Sequence, residues 1–522
     1  MTDIDKAMLA AVARALHRLR FGSLEIVVHE GRIVQTHFTL GTDRTTGGPR
    51  FRGEKSMVTI RRKTGLVLVW ALNAVVAAPQ LLAQQDSAAA ATQQRLDDLD
   101  QQVKILSRRW ELYQDSVINA AKSRPSVSAG ATGFQLKSAE GNFVLKLRGY
   151  LQADSRVYFS DDAQVLTNDL LLRRVRPILE GTVYRYYDFR IMPDFAGSAP
   201  TIFDAYFEAR FEPEFAVRAG KYKPALGLER YQSATDVKFI ERGLPTNLVP
   251  SRDVGLQIAG DLAGGVLNYN AALFDGVPDL ASGLNDVADG KDLVGRLFIV
   301  PFAKQAENPP VDLGFGIAAS TGNELGNTTT TALASYRSPG QATVFRYLTS
   351  STAPVTGTVI ADGRRERIIP QAYLNKGPLG LLAEYTISRQ EVARDTGVTR
   401  TTEKLEHKAW QVEGSFFLTG ERNSFRSITP KKQFDPFAGG WGAFELTGRY
   451  GELDFDDDAF PIYASPTASV TKEKAWAIGL NWHLGRNVKV MVNYEQTRFA
   501  GGATSGDRPD EKFFATRFQT SF

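Results

Sequence analysis

The stretch that decides the fold is "NFVLKLRGYLQADSRVYF", residues 142–159. Successive side chains of a β-strand point to opposite faces, so strict alternation predicts a strand with one apolar and one polar face. Strands of soluble sheets are mostly about five or six residues long, and this pattern is much longer. The odd positions are Phe143, Leu145, Leu147, Gly149, Leu151, Ala153, Val157 and Phe159, and the even ones include Lys146, Arg148, Gln152, Asp154 and Arg156.

The same alternation recurs along the chain, with short and long connections in turn. Many strands of about ten residues, in an even number and with this pattern of connections, are typical of a transmembrane β-barrel. The sequence therefore predicts an all-β fold, an antiparallel barrel of sixteen strands within residues 143–522. The predicted strands are 143–159, 169–184, 186–196, 201–212, 214–222, 254–262, 264–274, 291–302, 311–320, 366–375, 378–390, 405–419, 440–452, 472–484, 486–499 and 512–522.

The chain ends on such a strand, "DEKFFATRFQTSF", residues 510–522. In a closed barrel the last strand pairs with the first, so a strand can be the chain terminus. Phe514, Phe518 and Phe522 are then expected to face lipid, while Arg517 and Gln519 face the lumen. A C-terminal aromatic residue on such a strand resembles the assembly signal of bacterial outer-membrane proteins, which implies recognition of Phe522 by outer-membrane assembly machinery.

Composition excludes several classes of function. The chain has 522 residues and no cysteine, so disulfides, thiol catalysis and cysteine-ligated metals are ruled out. No two of its five histidines have the spacing of a zinc site. Residues 1–83 hold 12 of the 62 basic and 6 of the 58 acidic residues, so the remainder is formally −2. A nucleic-acid partner is not expected, because its binding needs a basic excess on the folded domain.

The N-terminal third precedes the barrel. In "MVTIRRKTGLVLVWALNAVVAAPQLLAQQ", which begins at Met57, basic residues, an apolar run and small residues follow one another. That order predicts a signal peptide over 57–83. Residues 1–56 are an extra segment, which marks either a fused reading frame or a start codon assigned too early. Its "LRFGSLEIVVHEGRIVQTHF" reads as two short strands around a His-Glu-Gly turn and resembles a small bacterial domain of the YezD-like kind.

A heptad repeat follows within residues 84–121. The apolar positions are spaced alternately by three and four residues, which favours a periplasmic coiled-coil helix over a lone amphipathic helix packed on its own domain. Residues 122–142 contain "KSRPSVSAGATG", which breaks the helix, and are predicted to be a linker. The apolar positions are Leu96, Leu99, Val103, Leu106, Trp110, Tyr113 and Val117.

Three stretches of the predicted barrel resemble the phosphate-selective porin O and P family. They are "LLLRRVRPILEG" (170–181), "LERYQSATDVKFIERGLPTNLVPSRDVGLQ" (228–257) and "QFDPFAGGWGAFELTGRY" (433–450). The resemblance implies a sixteen-stranded homotrimeric channel in the outer membrane, surrounded by its lipid, that passes inorganic anions such as phosphate. It also implies that the third long connection, 223–253 here, folds into the lumen.

A passive anion-preferring porin is therefore expected, with no enzymatic activity and no cofactor or metal. The alternatives are a non-selective general porin and a coiled-coil envelope tether with a plugged barrel. The alternation also places a comparable number of carboxylates on the lumen face. Each arginine there therefore either contacts ions or stabilises the wall by pairing with a carboxylate of a neighbouring strand. The residues expected on the anion path are Arg148, Arg174, Arg176, Arg230, Lys238, Arg242 and Arg252.

Overall fold

The chain divides into two units, residues 1–100 and 101–522. The first unit contains an antiparallel hairpin of β1 (Gly22–His29) and β2 (Arg32–Leu40), where the sequence predicts two short strands. Most of the predicted signal peptide, residues 57–79, lies outside the described residues. The computed structural model describes residues 22–29, 32–40, 80–122, 124–159, 166–284, 289–304, 311–350 and 357–522.

Helix α1 spans Gln80–Lys122. Its predicted heptad residues from Leu96 to Tyr113 are all largely exposed, so no described residue of the chain covers the apolar seam. The predicted linker after the helix contains two short strands, β3 (Ser126–Gly130) and β4 (Gly133–Lys137). Among the described residues, no helix is both long and apolar enough to cross a membrane.

Sixteen long antiparallel strands form a closed barrel, as the sequence predicts. Strand β4 pairs with the first of them. The sixteen are β5 (Val144–Tyr158), β6 (Asp169–Val183), β7 (Tyr187–Asp194), β8 (Thr201–Glu212), β9 (Phe215–Tyr222), β10 (Asp253–Leu262), β11 (Leu267–Phe274), β12 (Asp292–Ile299), β13 (Asp312–Leu325), β16 (Val359–Lys376), β17 (Leu379–Asp395), β18 (Arg400–Phe417), β19 (Ala443–Asp454), β20 (Val470–His483), β21 (Val488–Ala503) and β23 (Glu511–Ser521).

The last strand closes the barrel against the first. Strands β23 and β5 pair from Phe513 opposite Tyr158 to Ser521 opposite Tyr150. The terminal Phe522 exchanges two backbone hydrogen bonds with Gly149, at 3.0 and 3.1 Å. A Cβ at Gly149 would lie 2.8 Å from the Phe522 ring, so the glycine makes room for the terminal aromatic side chain.

The two faces of the wall have the predicted polarity. On the closing strands, Phe514, Phe518 and Phe522 are exposed on the outer face, whereas Arg517 and Gln519 are buried in the lumen. Because lipid offers no hydrogen bonds, the outer face must be apolar while the backbone is satisfied between strands. The alternation thus places the barrel in a bilayer and its charged residues inside.

Strands β16, β17 and β18 are longer than predicted, which shortens two of the long connections to 326–358 and 396–399. Three of the long connections contain further elements, and two connections on the opposite, short side, 300–311 and 418–442, are also long. The further elements are helix α2 (Leu228–Tyr231), the 3-10 helices Leu244–Leu248 and Asp457–Ala459, and strands β14 (Tyr336–Arg337) and β15 (Thr343–Phe345); β22 (Gly506–Asp507) lies between β21 and β23.

Candidate functional site

Residues 223–252 connect β9 to β10 and fold inside the barrel; we call this segment the lumen loop. It lies against strands β17 to β21 and is held there by side chains of the wall. The Leu228 amide donates to the Glu384 carboxylate at 2.7 Å, and the Ile240 amide donates to Asn493 at 2.8 Å. Hydrogen bonds to wall side chains therefore hold the loop near its start and in its middle.

Apolar packing also fixes the lumen loop. Leu244 and Leu248 of its 3-10 helix are fully buried in a cluster that includes Leu405 of β18 and Phe345 of β15. Full burial of one leucine side chain contributes about 1.5–3 kcal/mol. The loop is therefore a folded part of the lumen wall.

The lumen loop covers the carboxylates of the strands on which it lies. Glu384, Glu413, Glu445 and Glu495 are each at most 4% exposed. Glu445 pairs with Lys238 of the loop at 2.6 Å, and Glu495 pairs with Arg449 of β19 at 2.9 Å. These acids are buried beneath the loop, so ions in the lumen do not contact them directly. We call the inner face of β17 to β21 the covered wall.

Another face of the lumen, formed by β5 to β8, carries arginines that line a cavity; we call it the arginine wall. A bulge in β6 shifts the pairing, because Gln152 lies opposite Arg174 and Ala153 lies opposite Leu172. Arg173 is the extra residue, and a bulge re-aims the side chains beside it. As a result Arg173 and Arg174 both line the lumen, although they are adjacent in sequence.

A second bulge brings an aromatic ring to the same place. Met192 lies opposite Asp204 and Pro193 lies opposite Ile202, which leaves Phe203 as the extra residue of β8. The Arg176 guanidinium lies 3.8 Å from the centre of the Phe203 ring, and that of Arg252 lies 5.2 Å from it. The ring therefore orients two guanidinium groups by cation–π contact.

The arginine wall, the lumen loop and two further connections enclose a cavity of about 500 Å³. Among the described lining residues, Asp279 is the only carboxylate, and it accepts hydrogen bonds from Arg367, Ser388 and Tyr336. We call this space the cationic cavity. Its basic lining residues are Arg173, Arg174, Arg176, Lys223, Arg230, Arg242, Arg252 and Arg337.

Three of these cations are matched by a carboxylate behind the surface. The ion pairs are Arg173 with Glu241, Arg176 with Asp194 and Arg252 with Asp204, each at 2.7 Å.

The other cations hydrogen-bond to neutral groups. Arg174 donates to the Gln152 side chain at 2.6 Å, and Arg230 donates to the Thr246 carbonyl at 2.6 Å. Arg242 donates to the carbonyls of Glu229 and Gln232, at 3.1 and 3.0 Å. None of these hydrogen bonds is to a carboxylate, and the nearby Glu229, Glu241 and Glu384 offset only part of the charge, so the cavity has an excess of positive charge.

The protonation equilibrium of the lumen loop reflects this excess. Burial, together with the positive charges of Arg242 and Arg252, lowers the pKa of Arg230 to about 9. A cation whose pKa falls in this way is destabilised by its surroundings. A bound anion would remove that destabilisation, and the planar guanidinium groups can donate several hydrogen bonds to one oxyanion.

The structure brings together five of the seven residues predicted for the anion path. Arg174, Arg176, Arg230, Arg242 and Arg252 all line the cationic cavity.

The other two lie elsewhere. Arg148 pairs with Glu180 at 2.9 Å, near a separate cavity of about 340 Å³ that Glu180 lines. Lys238 is buried, and it holds the lumen loop to Glu445 and Asn423. The position of Lys238 in the sequence of the loop does not indicate which wall its side chain contacts.

Sequence reasoning did not identify Arg173, Lys223 and Arg337 as lining residues. Arg173 has the parity of an outward residue, and only the bulge turns it inward. Lys223 directly follows β9, and its ammonium contacts the Tyr231 and Gln232 carbonyls. Arg337 belongs to the β14–β15 hairpin, whose inward fold has no local signal. Within the described ranges, no group of three or more His, Asp or Glu side chains is arranged to hold a metal ion.

A closed sixteen-stranded barrel with an apolar outer face, a charged lumen and an inward-folded loop defines a porin of the outer membrane. The chain belongs to the phosphate-selective porin O and P family, which matches residues 145–522. This membership and the barrel place the protein in the outer membrane and indicate a channel rather than an enzyme.

Individual relatives are distant. Porin O of Pseudomonas aeruginosa is 24% identical over 427 residues, which cover 75% of this chain and 91% of that protein. Among solved structures, the outer-membrane channel DcaP of Acinetobacter baumannii is 13% identical with a TM-score of 0.47, and covers 75% of this chain and 100% of its own. An anion-selective porin from Comamonas acidovorans is 11% identical with a TM-score of 0.44, and covers 73% and 100%.

The N-terminal segment has a separate similarity. Residues 8–36 match a family of uncharacterized small proteins, DUF2292. The match overlaps the β1–β2 hairpin, in agreement with the small extra domain expected from the sequence.

Proposed function

We propose that the protein is a passive, anion-preferring diffusion channel whose selective region is the cationic cavity. The observation that carries this proposal is the difference between the two lumen walls. Carboxylates of the covered wall lie beneath the lumen loop, whereas Arg174, Arg230 and Arg242 carry charges matched only by neutral groups.

The electrostatic consequence follows from the narrowness of the site. A cleft lined by one sign of charge, with walls of low dielectric constant, concentrates the field and raises the local concentration of counter-ions. Chloride and oxyanions such as phosphate or polyphosphate are therefore expected to enter more readily than potassium. Family membership suggests phosphate or polyphosphate as the oxyanion, and several guanidinium donors suit such an anion.

The reversal potential in a potassium chloride gradient across a planar bilayer tests this proposal. We expect the sign that corresponds to chloride permeating faster than potassium. A reversal potential of zero would identify a non-selective general porin, and the opposite sign would identify a cation channel. Absence of current from a correctly folded barrel would support the coiled-coil tether with a plugged lumen.

We further propose that the channel is a homotrimer in which the helices associate through their heptad seam. The seam from Leu96 to Tyr113 is exposed in one chain, and an a/d repeat buries such residues when helices pair. We also propose that the assembly machinery recognises the terminal strand, since Phe522 is exposed on the outer face beside the closing seam.

A further inference from the structure

The lining of the cationic cavity includes apolar side chains, which are not needed for binding a bare inorganic ion. They come from the 275–291 and 326–358 connections, from Phe203 of β8 and from Ala234 of the lumen loop. The cavity therefore combines positive charge with apolar surface. The apolar lining residues are Phe203, Ala234, Pro278, Leu280, Ala281, Leu333 and Ala334.

Leu280 is the most informative of these residues. Its φ is 63°, in the left-handed region that is unfavourable for a leucine. Glycine would adopt this conformation without the steric cost. The half-buried side chain belongs to none of the hydrophobic clusters among the described residues. A strained leucine that packs in no core indicates that its side chain serves the cavity.

The segment that carries Leu280 is rigidly held. The Leu280 amide donates to the Val249 carbonyl at 3.0 Å, and the Ala281 carbonyl accepts from the Ser251 amide at 2.8 Å. The adjacent Asp279 is anchored by Arg367 at 2.7 Å. Contacts on both sides therefore impose the strained conformation and hold an apolar side chain beside Arg252.

The volume also exceeds what an inorganic oxyanion requires. A phosphate ion fills the space of only a few water molecules, each about 30 Å³. Pockets that bind organic molecules are commonly about 300–1,000 Å³ and combine apolar surface with a few placed polar groups. The cavity of about 500 Å³ falls within that range.

We propose that the cationic cavity is a binding site for organic carboxylates with an apolar body. The carboxylate contacts the unmatched guanidinium groups of Arg174, Arg230 and Arg242, and the hydrocarbon part lies against Leu280, Leu333 and Phe203. This inference rests on the proposed anion-preferring channel and names a class of solute for the same site.

Two matched probes test directly whether the apolar lining of the cavity contacts the solute. Hexanoate and gluconate each have six carbons and one carboxylate, but gluconate carries hydroxyl groups along its chain. We expect hexanoate to halve the chloride current at a concentration about tenfold lower than gluconate, since each buried methylene contributes about 0.8 kcal/mol. Equal block by the two anions would overturn the inference.

Variants of Leu280 locate the effect. Asparagine tolerates the left-handed conformation, so Leu280→Asn removes the apolar contact with little backbone penalty. We expect the hexanoate preference to fall to about twofold or less, with block by phosphate unchanged. Leu280→Gly should have the same effect with a relaxed backbone. Ala263→Asn is the matched control, because Ala263 also has a left-handed φ, 53°, and lies in the β10–β11 turn, at the other end of β11 from the 275–291 connection.

The outcomes separate this inference from the proposed function. If the reversal potential shows anion preference and hexanoate and gluconate block equally, only the organic-carboxylate site is refuted. A hexanoate preference that survives both Leu280 variants would likewise refute the assigned contact. Loss of anion preference in the unmodified protein would refute the proposed function itself, whatever the result with the two probes.

Discussion

The covered wall and the arginine wall are alike in sequence and opposite in role. Both are alternating strands whose lumen-facing positions include polar and charged residues, and both contain arginines and carboxylates. On the covered wall, Arg449 is 6% exposed and forms ion pairs with Glu229 and Glu495, which are at most 2% exposed. On the arginine wall, Arg174 is 5% exposed, but it lines the cavity and hydrogen-bonds to a neutral amide.

We infer from this difference that the lumen loop, rather than the count of charges, sets the field in the channel. Acids and bases occupy the lumen-facing positions of the strands in comparable numbers. In this proposal the loop shields the acids of the covered wall, and the cationic cavity provides the field that ions meet. Variants that remove the loop or change single charges test it.

The largest effect is expected from shortening the lumen loop. Replacing residues 229–248 by a short glycine-serine link removes three basic and three acidic residues, and it exposes Glu384, Glu413 and Glu445 together with Arg449 of the covered wall. We expect the reversal potential to change sign to cation preference, with a larger conductance. A variant shortened in the 195–200 connection is the control and should retain anion preference. Continued anion preference without the loop would show that the covering is unimportant.

The next effect concerns a buried bracing arginine. Arg517 makes two 2.7 Å hydrogen bonds to Asp154 and is fully buried. Arg517→Ala removes both of these hydrogen bonds and leaves Asp154 with only the longer contact to Arg156, at 3.5 Å. Removal of one partner of a buried ion pair costs about 3–5 kcal/mol. We expect a lower temperature for loss of the compact form in unboiled gels.

The double variant Asp154→Asn, Arg517→Gln is the control for that prediction, because it leaves no unpaired charge. It should recover much of the lost stability. In both variants, selectivity should change less than in variants of the cationic cavity. An Arg517→Ala variant as stable as the unmodified protein would contradict the proposal that Arg517 stabilises the wall through Asp154.

A smaller effect is expected from the unmatched cations. Arg230→Gln with Arg242→Gln removes two charges without exposing a paired carboxylate. We expect the chloride-to-potassium permeability ratio to fall several-fold at 0.1 M salt. The difference should shrink at 1 M, where the Debye length is about 3 Å rather than about 10 Å. Arg498→Gln is a matched control, since Arg498 is 70% exposed at the strand end. Equal changes in both variants would contradict the assignment.

The smallest effect on conduction is expected from the helix. Deleting residues 92–116 removes most of the exposed heptad seam but no barrel strand. We expect unchanged single-channel conductance and a trimer that dissociates at a lower temperature, as measured on unboiled gels. A loss of current with intact assembly would show that the helix acts in the channel.

The barrel was predictable because its determinants are local. Period-two alternation identifies each strand, including β23, which closes the barrel against β5. The same rule assigned Arg174 and Arg176 correctly to the lumen. It failed at Arg173 and Phe203 because bulges shift parity by one residue, and their position depends on pairing with the neighbouring strand.

The site was predictable only in part because its assembly is non-local. The sequence indicated that 223–253 folds inward, but not which wall it covers. That choice depends on contacts such as Leu228 with Glu384, which are 156 residues apart in sequence. Lys238 was therefore assigned to the path although it anchors the loop, and the 275–291 connection with Leu280 was not foreseen.

Cysteine accessibility tests directly whether the lumen loop shields the covered wall from ions. The chain contains no cysteine, so an introduced thiol is the only one present. Ser251→Cys places a thiol on the cationic cavity, and Thr447→Cys places one on the covered wall, where Thr447 is 2% exposed. The membrane-impermeant anion 2-sulfonatoethyl methanethiosulfonate is added during current recording. We predict rapid loss of current for Ser251→Cys and none for Thr447→Cys. Equally rapid modification of Thr447→Cys would contradict the account, because the carboxylates beside it would then face the ion path.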